Sequence, residues 1–150
     1  MGAGQFHFRQ DPRSWRYPGG DTRVTSQPEP RDGDMIKTTF DALTEELQPG
    51  VLLIRMSGEI DIASTEFAAE AIRAAVAPPA RLVLIDLSAV TFCSSAGLGN
   101  LVEARNLAGQ HDITLALVGV GRPVDRPLSV TGLGGQFRIY GTAAEALADL

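Results

Sequence analysis

The chain has 150 residues, a net charge of −5 at neutral pH and a single cysteine. That length suits one domain, and one cysteine excludes an internal disulfide framework, in keeping with a reducing, cytoplasmic setting. No apolar run approaches the ~18 residues of a membrane span, and the N-terminus lacks the apolar core of a signal peptide.

Residues 1–34 hold five Arg and five acidic residues, so the whole net charge falls on residues 35–150. An acidic folded region argues against nucleic acid as a direct partner, because a phosphate backbone demands Lys/Arg stripes. Gly, Pro, Arg, Asp and Ser dominate residues 1–34 with no persistent period, the composition of a disordered tail. Phe6, Phe8, Trp15 and Tyr17 interrupt it and leave open a short partner-binding segment.

From residue 35 the pattern becomes regular. Residues 36–43 read as an edge strand and 51–56 as a second strand, with Gln48-Pro49-Gly50 between them as a hairpin turn. Residues 64–76 are helical, with Phe67, Ala71, Ile72 and Ala75 on one face, and Pro78-Pro79 stops the helix. Residues 82–87 form a continuous apolar strand suited to the centre of a sheet. A second helix covers 96–108, and a further strand covers 113–118. A short helix at 124–130 is made irregular by Pro123 and Pro127. A strand at 137–140 and a helix at 142–150, capped by Thr142, complete the chain. Strands alternating with helices predict an α/β layer built on a mostly parallel or mixed sheet of four to five strands with about four helices.

The chemistry concentrates after the central strand. Cys93-Ser94-Ser95-Ala96-Gly97 places two hydroxyls at the carboxyl end of that strand and at the mouth of the second helix. A helix N-terminus carries unpaired N–H groups and partial positive charge, so it tolerates an added phosphate. A serine in such a place more often serves as a helix cap. Asp61, between a strand and a helix, reads on its own as a turn or cap carboxylate. Asp86 lies inside an apolar strand and suits a structural bond to a neighbouring N–H.

Catalytic and metal chemistry finds no support. Cys93 stands where a nucleophile elbow needs Gly, so Ser95-x-Gly97 is not one. Gly119-x-Gly121 starts like a dinucleotide loop, but Val124 replaces its third glycine and Pro123 intrudes. His7, His111 and Cys93 are too few and too scattered for a metal site. His111 falls in a polar turn and reads as exposed, and Cys93 reads as a packing residue. No catalytic residue, metal or cofactor is expected.

The segment 82–99 resembles the signature of the STAS domain, and more narrowly that of the bacterial anti-sigma factor antagonists: a hydrophobic strand, an Asp-Ser-Ser/Thr-Gly-Leu-Gly motif, then a helix. Gly58-Glu59-Ile60-Asp61 with Ile62 to Thr65 is similar to the family's Gly-Glu-Leu-Asp segment. Thr131-Gly132-Leu133, Phe137-Arg138-Ile139 and Thr142 are similar to its C-terminal pattern. The resemblance covers roughly residues 36–150. It implies an anti-sigma factor, itself an ATP-dependent serine kinase, as partner, and a phosphatase that resets the system. Ser95 falls on the family's phosphorylated serine, with Ser94 the alternative, and Asp61, Ser94, Ser95, Gly97 and Leu98 fall on the partner-binding surface. One departure stands out: Ser94 replaces the acidic residue before the acceptor, removing a negative charge beside it. Two other readings stay open: a STAS scaffold that does not cycle, and a small nucleotide-binding α/β protein.

Overall fold

The computed structural model describes residues 40–150. The tail at 1–34 and the first part of the expected edge strand, 36–39, lie outside the described residues. Strand β1 (Asp41–Gln48) turns at Pro49-Gly50 into β2 (Val51–Ile60). Helix α1 (Thr65–Ala75) leads to β3 (Leu82–Cys93), α2 (Ser95–Gln110) to β4 (Thr114–Val118), and α3 (Arg122–Thr131) to β5 (Arg138–Tyr140), followed by α4 (Ala143–Asp149). One sheet takes the strands in order β1-β2-β3-β4-β5. Only β1–β2 is antiparallel; the other three pairings are parallel.

The hairpin follows from two local features of Gly50. Gly50 adopts φ +81°, a left-handed conformation that glycine takes without penalty. Its N–H donates to the Glu46 carboxylate at 3.1 Å, which closes the turn. β1 begins and ends later than the apolar pattern suggested: Glu45 and Glu46, polar on paper, both have partners, Glu45 lying 3.7 Å from Arg55 of β2 and Glu46 accepting from Gly50 in the turn.

The sheet has a thick face and a thin one. On the thick face Leu52, Ile54, Met56, Val83, Ile85 and Leu87 pack against α1, α2 and α3 through Ala68, Ile72, Leu98, Leu101, Val124 and Leu128. On the thin face Val51, Leu53, Leu82, Leu84, Ala116 and Val118 meet Ala146 of α4. Both faces of the central strands are thus covered, which explains the unbroken apolar run at 82–87.

β3 continues well past that run. Ten residues of β2 pair alongside twelve of β3, so β3 carries two extra residues. The register slips between Arg55 and Ser57 and again between Gly58 and Glu59. Each slip is a bulge, which reverses the facing of later side chains. Leu87, Val90 and Cys93, three residues apart rather than two, consequently all point into the thick core. The intervening Ser88, Ala89, Thr91 and Phe92 are exposed. Asp86 locks the first bulge, its Oδ1 accepting from the Ser88 N–H at 2.9 Å and the Ser88 hydroxyl at 2.7 Å.

Candidate functional site

The site forms where β2 and β3 run out together. Ile60 pairs with Cys93, and the chain then leaves each strand for a helix. The Ser94 N–H donates to the Ile60 carbonyl at 2.9 Å, and the Ser94 hydroxyl donates to the same oxygen at 3.0 Å. That hydroxyl also accepts from the Gly97 N–H at 3.1 Å. Ser94 has an extended backbone, φ −81° and ψ 174°, and is the N-cap of α2. One hydroxyl thus caps a helix and ties it to a neighbouring strand.

Ser95 is different. It is exposed and its hydroxyl makes no hydrogen bond to any described residue. It opens a 16-residue helix whose first turn carries no acidic side chain. The Gly97 and Leu98 N–H groups are taken by the Ser94 hydroxyl and carbonyl, those of Ser95 and Ala96 point out of the helix start, and the helix dipole adds positive potential. Ser95 is therefore the free hydroxyl of the pair and Ser94 the committed one.

Asp61 shapes the adjoining turn. Its Oδ1 accepts from the Ser64 N–H at 3.1 Å, while its own N–H donates to the Ser64 hydroxyl at 2.9 Å. The Ser64 hydroxyl in turn donates to the Glu59 carbonyl at 2.7 Å. Ser64 is fully buried, so its hydroxyl is a hidden staple across the entry to α1. Sequence reasoning placed Ser64 only as a helix start and missed this role. The Asp61 turn reading holds, and Asp61 directly follows Ile60, the residue whose carbonyl Ser94 holds.

Gly97 and Leu98 do not reach that surface. Leu98 is 4% exposed and packs in the thick core, and Gly97 is buried. A helix starting at Ser95 turns positions 97, 98 and 101 toward the sheet, so these residues hold the site from beneath. Gly97 is required for space: a Cβ there would lie 2.8 Å from Ile60 Cγ2 and 2.9 Å from Cys93 Sγ. Asn100, on the same buried side, donates to the Thr65 carbonyl at 3.3 Å and links the second turn of α2 to the start of α1.

Two exposed apolar side chains near the ends of β2 and β3 were not anticipated. Ile62 is 81% exposed and Phe92 49% exposed. For Phe92 the signal existed: with Cys93 buried, its immediate neighbour in an extended strand must face away.

The other candidate chemistries dissolve into structure. Cys93 is buried, and burial pushes its thiol up from 9.0 to about 11, so it stays protonated at neutral pH. His111 is an exposed C-cap of α2. Gly119 takes φ +67° with Ser88 Cβ and Asp86 Oδ1 2.9 and 3.3 Å from where its own Cβ would lie, so it serves close strand packing. Gly121 caps α3, its carbonyl accepting from the Val124 and Asp125 N–H groups at 3.1 and 2.8 Å. Among the described residues no cluster of His, Cys, Asp or Glu could hold a metal, and no helix is long and apolar enough to cross a membrane.

Residues 42–146 match the STAS domain family. The chain belongs to that family, on its anti-sigma factor antagonist branch. It is 36% identical over 101 residues to the anti-sigma-F factor antagonist RsfB of Mycobacterium tuberculosis, spanning 67% of this chain and 82% of that protein. It is 29% identical over 102 residues to the anti-sigma F factor antagonist of Paenibacillus polymyxa, 67% of this chain and 87% of that one. Among solved structures, an anti-sigma factor antagonist from Mycobacterium paratuberculosis superposes with a TM-score of 0.67 at 34% identity, covering 74% of this chain and 93% of that chain.

Proposed function

We propose that this protein is a non-enzymatic switch of the cytoplasm. In its unphosphorylated form it binds an anti-sigma factor, which frees the sigma factor to direct transcription. The anti-sigma factor is a serine kinase that phosphorylates Ser95 with ATP and so ends the complex, and a phosphatase restores the free hydroxyl. The names of the relatives support the partner. The observation that carries the switch is the division of labour in the serine pair: Ser94 spends its hydroxyl on the fold, while Ser95 keeps its own exposed and unused. Phosphate at Ser95 adds about −1.5 to −2 charges next to Asp61, on a surface fitted to a partner, through repulsion and desolvation.

The deciding experiment incubates the full chain with each anti-sigma factor of its own genome plus ATP. Intact mass shows whether one phosphate is added, and fragmentation locates it. Phosphate on Ser95, with loss of the complex, is the expected result. Phosphate on Ser94 alone overturns the residue assignment. A stable complex with no phosphate favours the scaffold reading, which the uncharged Ser94 at the family's acidic position supports. Nucleotide bound tightly by the isolated chain would favour a nucleotide-binding protein instead.

A further inference from the structure

Among the described residues five large apolar side chains stand exposed: Ile62, Phe92, Val130, Ile139 and Leu150. Single exposed apolar residues are ordinary on a protein surface. Two of these five, however, lie close along the chain to the junction of Ile60 with Ser94, Ile62 in the turn after β2 and Phe92 near the end of β3. Two hydrogen bonds from Ser94 to the Ile60 carbonyl hold the ends of β2 and β3 together. Ile62 stands two residues beyond Ile60 on one side, and Phe92 stands two residues before Ser94 on the other. Neither place is loose. Ile62 lies within the turn stapled by Asp61 and Ser64, and its carbonyl accepts from the Thr65 hydroxyl at 3.2 Å. Phe92 is held outward by the second bulge of β3 and by burial of Cys93. Ordered apolar groups of this size lose little conformational freedom on being covered, which is the property of interface anchors.

We propose that Ile62 and Phe92 are the two apolar anchors by which the anti-sigma partner grips this protein, with Ser95 between them. The inference rests on the reading above, that this face binds that partner. The partner must present an apolar seat for each anchor and a small polar spot for a neutral hydroxyl. Closing apolar surface on both sides strips water from the hydroxyl between them. A phosphate there would have to be desolvated along with it, so the anchors that give affinity also sharpen the rejection of the phosphorylated form.

The test is calorimetric titration of the full chain with the purified, ADP-loaded anti-sigma factors of its own genome. Ile62→Ser and Phe92→Ser are each expected to raise Kd tenfold or more, and the double variant further. Val130→Ser, at a position also 81% exposed but on α3, is expected to leave Kd unchanged. Melting temperature checks each fold. Phe92 is half covered, so Ile62→Ser, which removes mostly exposed surface, keeps the test valid if Phe92→Ser melts early. A wild-type Kd in Ile62→Ser overturns the inference while the functional reading stands. A wild-type dimer that Ile62→Ser and Phe92→Ser disperse, with partner affinity unchanged, would assign the anchors to a second copy and also overturn it. No binding of any anti-sigma factor by the wild-type chain overturns the functional reading, and the inference with it.

Discussion

Ser94 and Ile60 are joined twice through a single oxygen, which accepts both the N–H and the hydroxyl of Ser94 at 2.9 and 3.0 Å. The hydroxyl has one proton and gives it to Ile60, and it accepts from Gly97 with its lone pair. This distinguishes serine from aspartate at this position. Both are good N-caps, but an ionised carboxylate has no proton to donate and would face the Ile60 carbonyl with like polarity. Ser94→Ala is expected to cost about 1–2 kcal/mol. Ser94→Asp, an even exchange as a cap, is expected to lower stability too. Chemical denaturation of the three proteins checks both, and Ser94→Asp at or above wild-type stability would mean the Ile60 bond contributes nothing.

Gly97 and Gly99 lie in the same helical turn and are expected to respond oppositely to alanine. At Gly97 the new methyl would meet Ile60 and Cys93 below 3 Å, so α2 must shift, at roughly 1–3 kcal/mol. At Gly99 nothing lies within 4 Å, and Ala there should stabilise by about 0.5–1 kcal/mol through its better helix propensity. Thermal melting of the two variants separates them. Equal shifts of the same sign would show that the close packing beneath the serine pair is not as described.

Asp61 has a structural task that does not need its charge. Its Oδ1 accepts from the Ser64 N–H, and an asparagine oxygen can do the same. Asp61→Asn is therefore expected to keep stability within about 0.5 kcal/mol, and any change in partner affinity then reports the charge itself. Ser64→Ala is expected to cost about 1–3 kcal/mol, because it removes the acceptor of the Asp61 N–H from a fully buried site.

Ser95→Ala should fold with wild-type stability, since the hydroxyl holds nothing, and should bind the anti-sigma factor whether or not ATP is present. Ser95→Asp should bind more weakly, though a carboxylate carries less charge than phosphate. Affinity measured with and without ATP distinguishes the two. Loss of ATP sensitivity in Ser95→Ala is the expected outcome, and retained sensitivity would move the acceptor elsewhere.

Cys93 should resist alkylation. With its thiol near 11 instead of 9.0, the thiolate fraction at pH 8 falls about a hundredfold, before any steric shielding. Iodoacetamide labelling should be slow in the native protein and fast in denaturant. The same shift makes stability fall with rising pH between about 9 and 11, where the unfolded thiol ionises and the buried one does not. Cys93→Ala should flatten that part of the curve.

The sequence revealed the order of elements well, because helix and strand periods differ and Pro78-Pro79, Gly50 and Thr142 mark true boundaries. Thr142 does cap α4, its hydroxyl accepting from the Glu145 N–H at 3.1 Å. The second half of β3 was hidden, because two bulges break the two-residue period from which strands are read. The start and end of β1 were misplaced because its acidic residues are satisfied by partners invisible in sequence: Arg55 across the ladder and the Gly50 N–H in the turn. At the site, Ser94 as cap and Ser95 as exposed neighbour followed from type and position. The inward turn of Leu98 and the staple role of Ser64 did not, since both depend on where α2 and α1 settle on the sheet.

The bonds among Ile60, Ser94 and Gly97 use backbone groups and one hydroxyl, and none of the exposed side chains around them. Frame and display are separate. Ile62 and Gly99 are exposed and take no part in the bonds of the three residues that hold the loop. A lineage carrying several copies of such a chain could thus tune each to its own partner by rewriting a handful of surface letters. With Ser95 as the proposed acceptor, its hydroxyl would stay in the same place in every copy, and one phosphorylation chemistry would serve many insulated circuits.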